Sequence, residues 1–145
     1  QDPGNAGTII RAADAAGADA VVFSNGSVDP YNSKVVRSTA GSLLNVPISV
    51  GVDMQQAVSE LQTKGIQVLS TSAKGESLPD MPQGTLATAS AWIFGNEAGG
   101  VDSELAALAD KTVSIPIYGS AESLNLATAA SICLYFTAFA QRANH

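Results

Sequence analysis

Short apolar runs alternate with amphipathic segments along almost the whole chain, and this alternation limits the fold more than any other feature. Four apolar runs predict buried strands: 20–24, 66–70, 90–94 and 113–117. A fifth strand is expected near 46–50. The segments between them predict five helices: 5–16, 32–42, 53–64, 102–109 and 124–140. Apolar strands that alternate with helices are typical of a parallel sheet covered by helices. We therefore predict an α/β fold with a mostly parallel sheet flanked by helices, in one domain over residues 1–145.

Individual residues sharpen this outline. Ile10 and Ala13 lie on one stripe of the first predicted helix, which marks its buried face. Asp53 and Asp102 stand at the positions of helix N-caps. The stretch 72–85 contains two prolines and two glycines without apolar periodicity, which predicts a mobile loop.

The residue inventory excludes several classes of protein. Hydrophobic residues make up 46% of the chain and charged residues 14%, so a buried core is available. The single cysteine and single histidine, Cys133 and His145, exclude an internal disulfide framework, a Cys-rich zinc site and most histidine-based nucleophilic machinery. No lysine follows a glycine, so a P-loop is absent, and no apolar run reaches about 18 residues. We expect a cytoplasmic protein that uses no membrane and no metal.

The charge balance bears on nucleic-acid binding. Seven Lys and Arg residues stand against thirteen Asp and Glu residues, for a formal net charge of −6. Nucleic-acid-binding domains are usually basic, because affinity rests on phosphate neutralisation. Any contact of this chain with RNA is therefore local, or is completed by another domain or subunit.

Three segments combine polar residues with turns in a way that suggests chemistry. The first segment, 2–11, contains Asn5 and Arg11. In one explanation Asn5 is the N-cap of the helix and Arg11 is a solvated charge. In the other, Asn5 precedes the helix and its side chain turns toward Arg11. The second, 92–100, runs from a strand into a Gly-x-x-x-Gly-Gly turn, which differs from the dinucleotide fingerprint. In the third, 115–127, polar residues open a long helix, where they either cap it or hold a polar ligand.

Together these segments resemble the three motifs of the SpoU-type RNA 2′-O-ribose methyltransferases of the SPOUT superfamily. The matching pieces stand in the same order and at suitable separations: Asp-Pro-Gly-Asn-Ala-Gly-Thr-Ile-Ile-Arg (2–11), Phe-Gly-Asn-Glu-Ala-Gly-Gly (94–100), and Ile-Pro-Ile through Ser-Leu-Asn-Leu-Ala (115–127). The resemblance implies S-adenosylmethionine as methyl donor, ribosomal or transfer RNA as substrate, and a trefoil knot at the C-terminal end. The knot does not follow from the pattern of elements, because chains almost never thread loops.

The resemblance also assigns roles to residues. It implies five catalytic positions: Asn5, Arg11, Glu97, Ser123 and Asn125. It implies that the donor is held at six positions: Thr71, Ser72, Gly95, Asn96, Ile115 and Leu124. Arginine has been assigned a base role in such enzymes, but a guanidinium resists deprotonation. We therefore favour Arg11 as an organiser of the neighbouring phosphate and of the developing alkoxide.

The resemblance further implies a homodimer in which Arg11 of one subunit lies near the donor of the other. An apolar face of the last predicted helix is the expected contact surface: Leu126, Ala130, Leu134 and Ala138. Two family features are missing from the sequence, the strand before the first motif and the small N-terminal RNA-binding domain of many members. We expect the chain to be a fragment of a longer protein.

Three other functions remain open at this stage. A non-catalytic RNA-binding or dimerisation module with the same fold would bind RNA without methylating it. A base methyltransferase of the same superfamily would leave the methyl group on a base instead of a ribose. A generic nucleotide-binding α/β domain is disfavoured by the missing phosphate motifs.

Overall fold

The computed structural model describes residues 3–24, 45–95 and 100–143. The chain divides into two compact units, Gln1–Asp53 and Met54–His145, and each is described by itself. The predicted helix 32–42 lies outside the described residues.

The first unit is a helix packed on two parallel strands. Helix α1 (Pro3–Ala16) leads to β1 (Val21–Ser24), which pairs in parallel with β2 (Ile48–Val52). The predicted stripe of α1 is buried, with Ile10 fully inaccessible and Ala13 nearly so. The apolar cluster of this unit joins the helix to both strands: Ala6, Ile10, Val21, Phe23 and Ile48.

The second unit contains a parallel sheet of three strands in the order β4-β3-β5. Its strands are β3 (Gln67–Ser77), β4 (Ser90–Ile93) and β5 (Lys111–Ser114). Its helices are α2 (Met54–Thr63), a 3₁₀ helix (Leu78–Asp80), α3 (Gln83–Ala87), α4 (Ser103–Leu108) and α5 (Leu126–Arg142). The predicted strands and helices of this unit are thus confirmed in type and order.

Glycine ends both α1 and α2 in the same way. Gly17 and Gly65 follow these helices with φ of 82° and 80°, a left-handed conformation that favours glycine. In each case the glycine N–H and the next N–H bond back to the last turn, as Ala18 N does to Ala13 O at 2.8 Å. These are Schellman motifs, which satisfy carbonyls that a helix end leaves without partners.

The prediction of a mobile loop over 72–85 is wrong. Strand β3 continues to Ser77, and the following turns place Leu78, Met81 and Leu86 in the core with at most 6% exposure. These side chains pack with Leu69 and other buried residues of the sheet and of α5. Pro79 lies in the 3₁₀ helix and Pro82 is the N-cap of α3, so the prolines begin short helices. The burial of large apolar side chains outweighs the lack of periodicity.

The predicted dimer face of α5 is wrong for two of its four residues. Ala130 is completely buried and Ala138 is 7% exposed, so they are not available to a partner, whereas Leu126 and Leu134 are partly exposed. The side that faces solvent is aromatic instead, with Tyr135, Phe136 and Phe139 exposed. Small residues on the inner side let the helix lie close to its neighbours. Their presence therefore indicates packing within the chain instead of contact with a partner.

Among the described residues, no helix has both the length and the apolar character needed to cross a membrane.

Candidate active site

Strands β4 and β5 of the second unit end at one edge of its sheet, on either side of β3. All three strands run parallel, and Ser70 of β3 lies opposite Ile93 of β4 on one side and Thr112 of β5 on the other. Gly95 follows the end of β4, and Ile115 follows the end of β5. The structure therefore brings Thr71, Gly95 and Ile115 to the carboxyl edge, where open α/β sheets bind their ligands.

Thr71 joins β3 to the end of β4. Its Oγ1 hydroxyl donates a hydrogen bond to the carbonyl oxygen of Ile93 at 3.4 Å. The neighbouring Ser72 is exposed, and its Oγ accepts a hydrogen bond from the backbone N–H of Lys74 at 3.2 Å. Both predicted donor-binding hydroxyls thus make hydrogen bonds within the protein, inside β3 and not at its end.

A bulge directly after these residues bends β3 over β5. Thr71 and Glu76 both lie opposite Val113, so the residues between them have no counterpart in the neighbouring strand. A Cβ atom on Gly75 would lie 2.6 Å from the backbone nitrogen of Val113, which only glycine avoids. The Ser114 hydroxyl donates to the carbonyl of Gly75 at 2.9 Å and holds the bulge down. Sequence reasoning missed this role of Gly75, since nothing in a Lys-Gly-Glu run signals a close approach.

The backbone of Gly100 and Val101 passes very close to Gly95, which follows β4. A Cβ atom at this position would overlap the backbone of Gly100 and Val101. Gly95 is therefore required by the path of the chain itself, before any ligand is considered. The predicted site residues Asn96 and Glu97 lie outside the described residues.

The segment between β5 and α5, residues 115–125, carries the third motif without regular secondary structure. Ser123 is exposed, and Leu124 is 37% exposed. Asn125 is the N-cap of α5, because its Oδ1 accepts a hydrogen bond from the backbone N–H of Thr128 at 3.2 Å. Of the two explanations that the sequence left open for Asn125, capping is the one that the structure displays.

The two remaining predicted site residues, Asn5 and Arg11, belong to the first unit. Helix α1 begins at Pro3, so Asn5 lies in its first turn and neither caps the helix nor precedes it. Six residues at 3.6 per turn separate the two side chains by about 120° around the axis. Accordingly, Asn5 is buried at 9% exposure while Arg11 is exposed. Both explanations that the sequence left open for Asn5, an N-cap and a residue before the helix that turns toward Arg11, are therefore wrong.

The chemistry of the sheet edge selects among ligands. The residues described there supply backbone N–H and C=O groups from irregular segments, the Thr71 hydroxyl and the partly buried apolar side chain of Ile115. This set fits a nucleoside with flat apolar faces and polar edges. Within 3–24, 45–95 and 100–143, no cluster of three or more His, Cys, Asp or Glu residues is arranged to hold a metal ion.

Known proteins resemble this chain in sequence. It matches the model of the SpoU rRNA Methylase family over residues 1–135. It is 44% identical over 136 residues to the 23S rRNA (guanosine(2553)-2′-O)-methyltransferase of Bacillus subtilis, covering 93% of this chain and 53% of that enzyme. It is 35% identical to the 23S rRNA (uridine(2479)-2′-O)-methyltransferase of Streptomyces viridochromogenes, covering 92% of this chain and 47% of that enzyme. The chain spans about half the length of these curated relatives.

Solved structures agree. The SpoU methyltransferase AviRb from Streptomyces viridochromogenes, crystallised with the cofactor AdoMet, matches with a TM-score of 0.85 at 34% identity, over 94% of this chain and 53% of that chain. A putative RNA methyltransferase of the TrmH family from Porphyromonas gingivalis matches with a TM-score of 0.85 at 32% identity, over 100% of this chain and 57% of that chain.

The protein is a mixed α/β protein with parallel sheets flanked by helices. Its structure matches those of SpoU methyltransferases, which have the trefoil-knot fold. The chain belongs to the SpoU rRNA methylase family. The fold class and the family predicted from the sequence motifs are confirmed.

Proposed function

We propose that this chain is the catalytic domain of an S-adenosylmethionine-dependent methyltransferase that modifies a ribose 2′-hydroxyl in ribosomal RNA. One observation carries the proposal: the carboxyl edge of β4-β3-β5 gathers Gly95 and Ile115, which stand in the family's motifs, beside Thr71 of β3. The relatives support it, because two of them are named for 2′-O-methylation of 23S rRNA. Transfer RNA is the alternative substrate.

The donor is held chiefly by backbone. Residues around Gly95, Ile115 and Leu124 bind it through main-chain groups, and the hydroxyl-bearing pair Thr71 and Ser72 approaches its adenine side. Bound S-adenosylmethionine supplies a methyl group on a sulfonium, which needs no further activation. Asn96, outside the described residues, is part of the same proposed set.

The protein positions the acceptor and stabilises its charge. The exposed guanidinium of Arg11 is available to a phosphate and to the oxygen that loses its proton during transfer. Ser123 and Asn125, at the start of α5, fix the ribose hydroxyl. Asn5, buried in the first turn of α1, supports the segment that carries Arg11, and Glu97 completes the proposed catalytic set. Holding the two reactants in line accounts for most of the catalysis.

A homodimer formed through α5 is part of the proposal. Phe139 is 69% exposed, and its ring packs against that of Tyr135 with 5.6 Å between centroids. Two neighbouring exposed aromatic rings with Phe136 beside them form an apolar surface of the kind that protein interfaces bury. Sedimentation at micromolar concentration should give twice the 14.7 kDa chain mass, and Phe139→Ser should give the single-chain mass. A wild-type monomer would refute the dimer.

We place the protein in the cytoplasm, because a relative is named as a methyltransferase of 23S rRNA. The test of the function is calorimetric titration of S-adenosylmethionine, followed by transfer of its labelled methyl group to unmodified 23S rRNA. We expect one donor site per subunit and label in the RNA. Donor binding without label in any RNA would favour the non-catalytic module, and folded protein without donor binding would refute the proposal.

A further inference from the structure

Tyr118 stands out on the surface of the second unit. It is 90% exposed, more than any other large apolar or aromatic side chain among the described residues. It lies in the irregular segment 115–125, five residues before Ser123. The segment also exposes Ile117 and Leu124, each at 37%. Sequence reasoning passed over Tyr118, although an aromatic residue beside Gly and Ser outside any predicted element was a usable signal.

An exposed aromatic ring in a loop is typical of a binding residue. Leaving a tyrosine ring in water forfeits the free energy of burying it, and loops carry a large share of binding residues. A Cβ atom built on the next residue, Gly119, would meet nothing within 4 Å, so there is open space directly beside Tyr118. The ring therefore has an open face for a flat partner.

The surroundings of the ring favour a nucleobase over a phosphate. The segment 115–125 contains no lysine or arginine, and its charged residue is Glu122, which repels phosphate. A chain with a net charge of −6 gains little RNA affinity from charge neutralisation. Stacking of bases on aromatic rings supplies affinity without positive charge and without sequence preference.

The surroundings are also poor for a protein partner. Gly119, Ser120, Ala121 and Glu122 follow the ring and separate it from Leu124, so small and polar residues interrupt the contiguous apolar surface that a protein interface core requires. The aromatic face of α5 described above has that continuity, and the loop around Tyr118 does not.

We propose that Tyr118 stacks on a base of the RNA at or beside the methylated nucleotide and thereby presents the ribose to Ser123 and Asn125. This inference rests on the proposed function, because the RNA is the substrate of that same site. Tyr118 is a substrate-positioning residue, and the proposal requires its aromatic ring but not its hydroxyl.

The experiment compares Tyr118→Ala, Tyr118→Leu and Tyr118→Phe with a matched control, Leu108→Ala. Leu108 is another exposed apolar side chain, 43% accessible, on α4 outside the proposed site. The RNA probe is an unmodified 23S rRNA transcript from Bacillus subtilis, measured by equilibrium binding and by the KM and kcat of methyl transfer. Donor affinity and sedimentation mass are measured on the same samples.

We expect Tyr118→Ala and Tyr118→Leu to weaken RNA binding and raise the KM for RNA about 10-fold or more, the scale of one lost base stack. Tyr118→Phe and Leu108→Ala should behave as wild type, and donor affinity should not change. Unchanged RNA affinity in Tyr118→Ala would overturn the proposal. A lost dimer would assign Tyr118 to a protein contact, and lost donor affinity would assign it to the donor site, and either result overturns it too.

The binding arm also separates this inference from the proposed function. If the wild-type protein binds RNA but transfers no methyl group, the proposed reaction fails while the binding isotherms still decide on stacking. If transfer is normal and Tyr118→Ala matches wild type in both KM and binding, the reaction stands and stacking fails.

Discussion

The indole Nε1–H of Trp92 donates a hydrogen bond to Oγ1 of Thr137 at 2.9 Å, and this bond joins strand β4 to helix α5. The same Thr137 hydroxyl donates to the carbonyl of Cys133 at 3.0 Å, so it serves both elements at once. Strand β4 leads into the Gly95 turn, and Asn125 caps α5, so this one hydrogen bond links the elements that carry two parts of the proposed site.

Thr137→Val tests this anchor, because valine has nearly the shape of threonine but cannot accept the indole hydrogen. A part-buried donor without a partner should lower the free energy of unfolding by about 1–3 kcal/mol. Thr137→Ser keeps the hydroxyl and should lose less. Urea denaturation followed by far-UV circular dichroism measures both variants. A valine variant as stable as the serine variant would show that the bond contributes nothing.

Asn125→Ala separates capping from catalysis when it is paired with Asp102→Ala. Both residues cap helices through a side-chain oxygen, Asn125 to Thr128 N at 3.2 Å and Asp102 to Leu105 N at 3.4 Å. Each substitution should cost about 1 kcal/mol of stability. Only Asn125→Ala should also slow methyl transfer, since Asp102 lies outside the proposed site. Equal turnover in the two variants would leave Asn125 as a cap and nothing more.

The buried thiol of Cys133 predicts how stability varies at alkaline pH. Burial raises the pKa of Cys133 from 9.0 to about 12, because desolvation disfavours the thiolate. The unfolded chain therefore loses this proton first. Its contribution to stability is fully present below pH 9.0 and falls as pH rises toward about 12. The difference in unfolding free energy between wild type and Cys133→Ala should shrink over this window. A constant difference would contradict the assignment.

Arg11→Ala should slow methyl transfer by about 10²-fold, the scale of losing one charge-stabilising donor. Because Arg11 is exposed, stability should change by no more than about 0.5 kcal/mol, and donor affinity and dimer mass should hold. Arg11→Lys should restore activity only in part, since an ammonium lacks the planar fork. Arg142→Ala, which removes an exposed arginine at the end of α5, is the control. Near-normal turnover in Arg11→Ala would exclude Arg11 from the mechanism.

The sequence predicted what depends on periodicity and local chemistry. The parallel strands, the predicted helices among the described residues and the Asp102 cap follow from such signals, and they are confirmed. Prediction from the sequence failed where packing between distant parts of the chain determines which side chains are buried. The burial of Leu78 and Met81 under a Pro-rich turn, and the inward side of α5, depend on neighbours that are distant along the chain.

The same distinction applies to the candidate site, where some features were predictable from the sequence and others were not. Parallel strand ends share an edge, so the grouping of Thr71, Gly95 and Ile115 was foreseeable from topology. The tight passage at Gly95 was not, because it depends on the return of the chain at Gly100. A bulky residue at Gly95 should therefore disturb the turn itself, and loss of donor binding in such a variant would not by itself locate the ligand.

The most direct test of the central claim is nucleoside analysis of RNA methylated by this protein. Unmodified 23S rRNA is incubated with the protein and S-adenosylmethionine, digested to nucleosides and examined by mass spectrometry. We predict one new nucleoside with the added methyl group on the ribose and an unmodified base. A methyl group on the base, or no methylated nucleoside in the presence of folded, donor-binding protein, would contradict it.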